Sequence, residues 1–355
     1  MRVMFFVVSL LCLLSNANAN ELSALNDRYL DLLNTQEIDP EIKIQFKFKG
    51  LRLGDAGQNV VNLRQKLNQL GYDLPVQGAF DVAVEKAVKD YQRKLGIEAD
   101  GKAGPLTIRN ITLSVEKKRA ILEKQLKEMR DVFEGQSHQK FILVNIPAYK
   151  LYAYEGDHLV LESRIIVGRP DRPTALLNTQ IASVIVNPTW TPPGTILEKD
   201  LFPKGKIDLE FYKHHNLVSY DQDNNPIEIA EDVTLTAAKQ QKIRFTQPAG
   251  KENPLGRLKF QLLNSNDIYM HDTNSHGLFK ADNRSFSSGC IRVEKYLELA
   301  SWVLDQPKEK IVKTIEKNQT IHLPVKKIPV KTVYWLAENV NEDVLFHLDI
   351  YNYFK

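Results

Sequence analysis

The stretch Phe286-Ser287-Ser288-Gly289-Cys290-Ile291-Arg292 places a lone thiol on a glycine turn at the start of an apolar run. The chain has two cysteines, and Cys12 falls in an apolar leader, so the mature protein is expected to keep only Cys290. Export leads to compartments where paired cysteines become disulfides, and Cys290 has no partner for one. A thiol attacks only as thiolate, so its pKa of about 8.5 must be lowered by a base or a positive field. His271, which ends the strand-like Ile268-Tyr269-Met270-His271 and precedes Asp272-Thr273, is the candidate base. A positioned general base contributes roughly 10²–10⁴-fold. Gly289 permits a tight turn, so that N–H groups from Ser288 to Cys290 can converge as an oxyanion hole. Arg292 presents a two-pronged head suited to a substrate carboxylate. The plainer reading is a buried cysteine acting as an inert small hydrophobe, and spacing alone leaves both readings open.

Working outward, residues from Phe141 onward read as short strands: Phe141–Ile146, Lys150–Tyr154, Leu159–Val167, Ile181–Val186 and Arg257–Leu262, with Gly156-Asp157 as a hairpin turn. A helix is expected over Leu297–Leu304, and Thr332–Leu336 with Val344–Tyr351 as a closing strand pair. Metal chemistry fits poorly, since there is one mature cysteine and no His-Glu-x-x-His. His138, His158, His214, His215, His322 and His347 read as surface or packing residues, and His276 at most as a loop-orienting one.

The first part of the chain is helical. Val60, Leu63, Leu67 and Leu70 recur at helical spacing before Gly71. Asp81 can cap a second helix lined by Val84, Ala87, Val88 and Tyr91. Pro105 suits the first position of a third, short helix. A helix over Leu22–Leu33 and an extended Ile42–Phe46 precede this unit, and an amphipathic helix over Val115–Phe133 follows it.

Met1-Arg2, the apolar run Val3–Leu14 and the small-x-small Ala17-Asn18-Ala19 read as a cleaved signal peptide. The run is shorter than the about 20 residues a bilayer span needs. A net charge of +3, or +2 without Arg2, with no basic block interleaved with aromatics, gives no support for nucleic acid as a partner.

The residues also resemble two known families. Leu53-Gly54-Asp55, Leu70-Gly71-Tyr72, Gly78-x-Phe80-Asp81, Tyr91-Gln92 and Asp100-Gly101-x-x-Gly104-x-x-Thr107 resemble the peptidoglycan-binding module called PG-binding type 1, which can bind wall or serve as a spacer. His271-Asp272-Thr273 with Ser287-Ser288-Gly289-Cys290-Ile291-Arg292-Val293 resembles the signature of YkuD-fold L,D-transpeptidases, particularly the longer YcbB type. The likeness extends through Ile166-Val167-Gly168-Arg169-Pro170-Asp171-Arg172, Asn187-Pro188-x-Trp190, Pro254-Leu255-Gly256-Arg257 and Asp349-Ile350-Tyr351-Asn352-Tyr353.

The resemblance implies an α+β multidomain chain: a small three-helix peptidoglycan-binding domain, then a mostly β YkuD-like catalytic domain with a capping insert. The expected boundaries are 1–19 for the signal peptide, 20–50 for an N-terminal helical and extended segment, and 51–112 for the module. A connecting helix follows at 113–136, the catalytic domain at 137–325 with a candidate lid at 191–250, and a C-terminal strand pair at 326–355. It implies a Cys290 nucleophile, His271 as general acid and base, and backbone oxyanion donors at Ser288 and Gly289. Arg292, Trp190 and Tyr269 are the substrate-contacting candidates. For Trp190 a core position is the default reading, and Tyr269 is expected to face away from His271. Peptidoglycan stem peptides and glycan are the implied partners, with cell-wall synthesis proteins as further candidates, in the periplasm or at the wall, with no metal or organic cofactor. The implied activity forms 3→3 crosslinks. An L,D-carboxypeptidase using the same site, or a non-catalytic wall-binding protein, are the alternatives.

Overall fold

The computed structural model describes residues 17–34, 43–44, 50–133, 140–230, 233–263, 268–341 and 343–354. The chain divides into two compact units, one of residues up to 139 with 155–159 and 334–355, the other of 140–154 and 160–333.

The first unit carries five helices among its described residues: α1 (Ala17–Asn34), α2 (Gln58–Gln69), α3 (Val82–Lys94), α4 (Pro105–Thr112) and α5 (Val115–Phe133). Helix α1 starts at Ala17, ahead of the expected Leu22, and the rest of the leader lies outside the described residues. Of the extended stretch expected at 42–46 only Lys43 and Ile44 are described, and Ile44 joins the module's core. That core sets Val60, Leu63 and Leu67 of α2 against Val84, Val88 and Tyr91 of α3 and Ile108 of α4. Asp81 caps α3, its Oδ1 accepting from Val84 N at 3.0 Å. Buried Gln92 holds the turn before α4: its amide nitrogen donates to Asp100 Oδ1 (3.0 Å) and Lys102 O (2.9 Å), and its oxygen accepts from Gly101 N (2.9 Å). A buried amide satisfied on both ends fixes one geometry for the loop.

The second unit is built on strands β1 (Lys140–Asn145), β2 (Lys150–Glu155), β3 (His158–Gly168) and β4 (Asn178–Val186). Then comes an insert of α6 (Gly194–Ile196), a π-turn (Leu197–Leu201), α7 (Leu209–His214), β5 (Val218–Tyr220), β6 (Pro226–Ile227), α8 (Leu235–Gln240) and β7 (Arg244–Thr246). The sheet resumes with β8 (Leu258–Leu262), β9 (Met270–His271), β10 (Ser285–Ser287) and β11 (Ile291–Val293), followed by α9 (Tyr296–Leu304), α10 (Lys308–Glu316) and β12 (Ile321–Val333). The sheet order is β10-β3-β11-β9-β8-β4-β12-β1-β2, and β2 also pairs with β3, so the order closes on itself as a barrel. Closure removes the exposed edges an open sheet would leave.

Two findings differ from the sequence reading. The segment 191–250 is not simply a turn-rich lid. Leu197, Phe202, Ile207, Leu217, Leu235, Ala238 and Phe245 give it a hydrophobic core of its own, and β6-β5-β7 form a separate small sheet. Its root is closed by paired backbone bonds, Trp190 N to Gln247 O (2.9 Å) and Gln247 N to Trp190 O (2.7 Å). At the other end β12 runs on past residue 325 to Val333, despite Pro324 and Pro329, pairing with β1 and β4 across a register shift between Pro324 and Ile328. Prolines argue against a central strand in sequence; Pro324 borders the shift in the β4 pairing, and Pro329 lies beyond it, opposite Gln180. The closing hairpin is therefore displaced: it is β13 (Ala337–Val340) with β14 (Asp343–Phe346), and belongs to the first unit.

Candidate active site

Strands β9 and β11 run parallel, with Ile291 opposite Met270 and Arg292 opposite His271. Ile291 and Met270 are fully buried. Because side chains alternate across a strand, Cys290, Arg292, Tyr269 and His271 share the opposite face. All four line one cavity of about 600 Å³, walled also by Ser287, Ser288, Trp190 and, from the root of the insert, Gly194, Thr195, Ile196 and Glu198. Tyr269 thus faces the same side as His271, their rings 5.5 Å apart edge to face. The expectation that it turns away was wrong, since residues two apart on a strand point alike.

The turn that carries Cys290 is held from behind. Gly289 has φ +113, which an L side chain rarely adopts. Its carbonyl accepts from Thr174 Oγ1 at 2.8 Å, and Thr174 Oγ1 accepts in turn from Gly168 N at 2.9 Å. A trans peptide directs its N–H opposite to its C=O, so anchoring Gly289 O aims Cys290 N–H away from Thr174. The Gly289 N–H itself donates to Ser287 Oγ at 3.2 Å, and that hydroxyl donates to Cys290 O at 2.5 Å. Ser287 is therefore a structural member of the turn that sequence reasoning passed over.

Electrostatics leave the thiol and the imidazole both neutral. Burial, then the positive charges of Arg292 and Lys259, push the His271 pKa down to about 3. Its Nδ1 is buried without a hydrogen-bond partner among the described residues. Burial also pushes the Cys290 thiol up, while hydrogen bonds with Tyr269 and the charges of Lys259 and Arg292 pull it back. Lys259 Nζ lies 3.9 Å from the centroid of the Tyr269 ring, within cation–π range. Arg292 Nε is likewise buried without a hydrogen-bond partner. A guanidinium whose buried Nε has no partner among the described residues, beside a thiol and a neutral imidazole, suits an anionic group.

Asp272 does point away from the cavity. Its Oδ2 accepts from Arg257 N at 2.8 Å, and it fills the space over Gly256, where a Cβ would stand 2.2 Å from that oxygen. His276 Nε2 is 3.1 Å from Asp272 Oδ1. Half-buried Trp190 borders the cavity and, with Pro193, Leu255 and Tyr269, a second one of about 460 Å³.

Residues 139–325 match the L,D-transpeptidase catalytic domain, YkuD, and 56–111 match the "Putative peptidoglycan binding domain" family. The chain belongs to the YkuD L,D-transpeptidase catalytic-domain family. It is 34% identical over 244 residues to a Haemophilus influenzae protein named "Putative L,D-transpeptidase", covering 68% of this chain and 48% of that one, so the chain spans about half of that relative's length. Among solved structures it aligns with an L,D-transpeptidase of Xylanimonas cellulosilytica (14% identity, 81% of this chain and 100% of that one, TM-score 0.27). It also aligns with the catalytic domain of the E. faecium L,D-transpeptidase acylated by ertapenem (12% identity, 56% and 100%, TM-score 0.26).

Proposed function

We propose that this chain is an exported peptidoglycan L,D-transpeptidase that forms 3→3 crosslinks, with residues 51–112 as a wall-binding module. The observation that carries the reading is the single cavity lined by Cys290, a neutral His271 and Arg292. In this reaction the Cys290 sulfur attacks the carbonyl joining the third-position diamino acid of a stem peptide to its terminal D-alanine. His271, held neutral, takes the thiol proton and passes it to the leaving amine of D-alanine. A thioester remains on Cys290. The side-chain amine of a second stem's diamino acid then attacks it, His271 takes that amine's proton, and the thiol is restored. Cys290 N–H, aimed opposite to Thr174, and Ser288 N–H are the proposed donors to the tetrahedral oxyanion. Gly289 N–H joins them only if it leaves Ser287 Oγ. One such donor is worth roughly 2.7–4 kcal/mol. Arg292 receives a substrate carboxylate, and Trp190 and Tyr269 wall the stem's path.

The test incubates the mature protein and Cys290→Ala with purified disaccharide-tetrapeptide, with products read by mass spectrometry. Dimers formed with loss of D-alanine, absent from the variant, are expected. Monomeric tripeptide alone would make water the acceptor and the chain an L,D-carboxypeptidase. Failure of a carbapenem-class probe to acylate folded protein at Cys290 would leave a non-catalytic wall-binding chain.

A further inference from the structure

One side chain outside the reaction just described joins the insert to the nucleophile turn. Arg172, in the loop between β3 and β4, grips Asp200 of the insert's π-turn with both terminal nitrogens, Nη1 to Oδ2 at 2.5 Å and Nη2 to Oδ1 at 2.9 Å. The same Nη1 donates to Ser288 Oγ at 2.9 Å. Arg169 Nη2 stands 3.5 Å from Asp200, and Asp171 3.7 Å from Arg172 Nε, so each carboxylate is shared between two guanidinium groups. The Arg172 side chain is 13% exposed and that of Asp200 30%, so the pair is partly shielded and is screened less by salt than a fully open one. Asp200 is held below its ordinary carboxylate range by Arg172, consistent with a permanently charged pair.

The loop carrying Arg172 is itself immobilised on the barrel. Thr174 bridges Gly168 N and Gly289 O, and a Cβ on Gly168 would stand 2.2 Å from Arg172 O. The insert residues that wall the cavity, Gly194, Thr195, Ile196 and Glu198, immediately precede Asp200 in the chain. The position of that wall is therefore set through Asp200 by a guanidinium anchored on the barrel and touching Ser288, two residues before Cys290.

We propose that Arg172 is a positioning residue, clamping the insert over the cavity through Asp200 and aligning the nucleophile turn through Ser288. A stem peptide is then held between two walls whose separation one arginine fixes. A bidentate guanidinium suits this task because its planar fork defines direction as well as charge, which a lysine ammonium does not. The kinetic part of this proposal rests on the transpeptidase reading; the structural part does not.

The test compares the full-length wild type with Asp200→Asn, Arg172→Lys and the double variant, by three measurements. These are hydrogen exchange over 194–201, alkylation of Cys290 by iodoacetamide, and KM and kcat on disaccharide-tetrapeptide. Each single variant is expected to speed exchange over 194–201 at least about tenfold, the loss of a charge-assisted hydrogen bond. KM should rise more than kcat falls, alkylation should not slow, and the double variant should be little worse than either single one, because both cut the same link. Unchanged exchange over 194–201 in both single variants would overturn the clamp. So would fully additive effects in the double variant, or a loss confined to melting temperature with KM unmoved. If the wild type makes neither dimer nor tripeptide, the transpeptidase reading fails by itself, and exchange still decides the clamp.

Discussion

At the scale of single residues, the site depends on two backbone positions and one buried ring. Gly289→Ala must place a side chain at φ +113, a strain of about 1–3 kcal/mol. It should lower the melting temperature and, by turning the Gly289–Cys290 peptide, cut product formation more than it cuts stability. Gly256→Ala sets a Cβ 2.2 Å from Asp272 Oδ2, so it should dislodge the carboxylate behind His271, visible as exchange of the Arg257 amide. His271 gives a pH prediction. Its pKa is lowered on folding from 6.5 to about 3, so the unfolded chain binds a proton that the folded chain refuses between those values. Stability is full above pH 6.5 and is lost as pH falls toward 3, by up to a few kcal/mol. Denaturant titrations of wild type and His271→Gln should diverge over that window, and coincident pH profiles would show that the ring is not held neutral. Cysteine, histidine and arginine were legible in sequence because their chemistry is rare and their spacing short. Ser287, Thr174 and Arg172 were not, because each acts through contacts with residues that only the fold brings near.

Among the elements, the insert is the one whose nature the sequence concealed. Its turn-rich composition suggested a loop, yet Phe202 and Phe245, ring centroids 6.0 Å apart, anchor a core that the barrel does not share. Phe245→Ala should therefore cost about 3–5 kcal/mol locally. Hydrogen exchange should show 194–246 losing protection while 258–293 keeps it; equal loss in both would mean that insert and barrel unfold together. The helices of the module were easier to read, since local signals mark them: Asp81 at a cap, Pro105 at a first turn, apolar residues at helical spacing. Strand β12 was missed because its pairing partners, β1 and β4, lie far away in sequence and its prolines argue locally against it.

On the scale of the whole molecule, the chain's end returns to its beginning within the first unit. Buried Asn110 exchanges two hydrogen bonds with the backbone of Phe346, at 2.9 and 2.8 Å, and Gln125 does the same with Ala337, at 2.6 and 2.8 Å. Asn110→Ala strands a buried N–H and C=O, at about 1–3 kcal/mol each. The C-terminal hairpin should then become the first site of limited proteolysis, and an unchanged cleavage pattern would remove this role. By itself the sequence determined the helical module, the mostly β character of the second unit and the candidate residues Cys290, His271 and Arg292, because those follow from local periodicity, capping and side-chain type. Only the tertiary structure decided that Tyr269 and His271 share a face with Cys290, that the insert has its own core, and that Arg172 joins insert to turn. Those are relations between segments distant in the chain, formed when the barrel closes and buried polar groups must find partners wherever the fold supplies them.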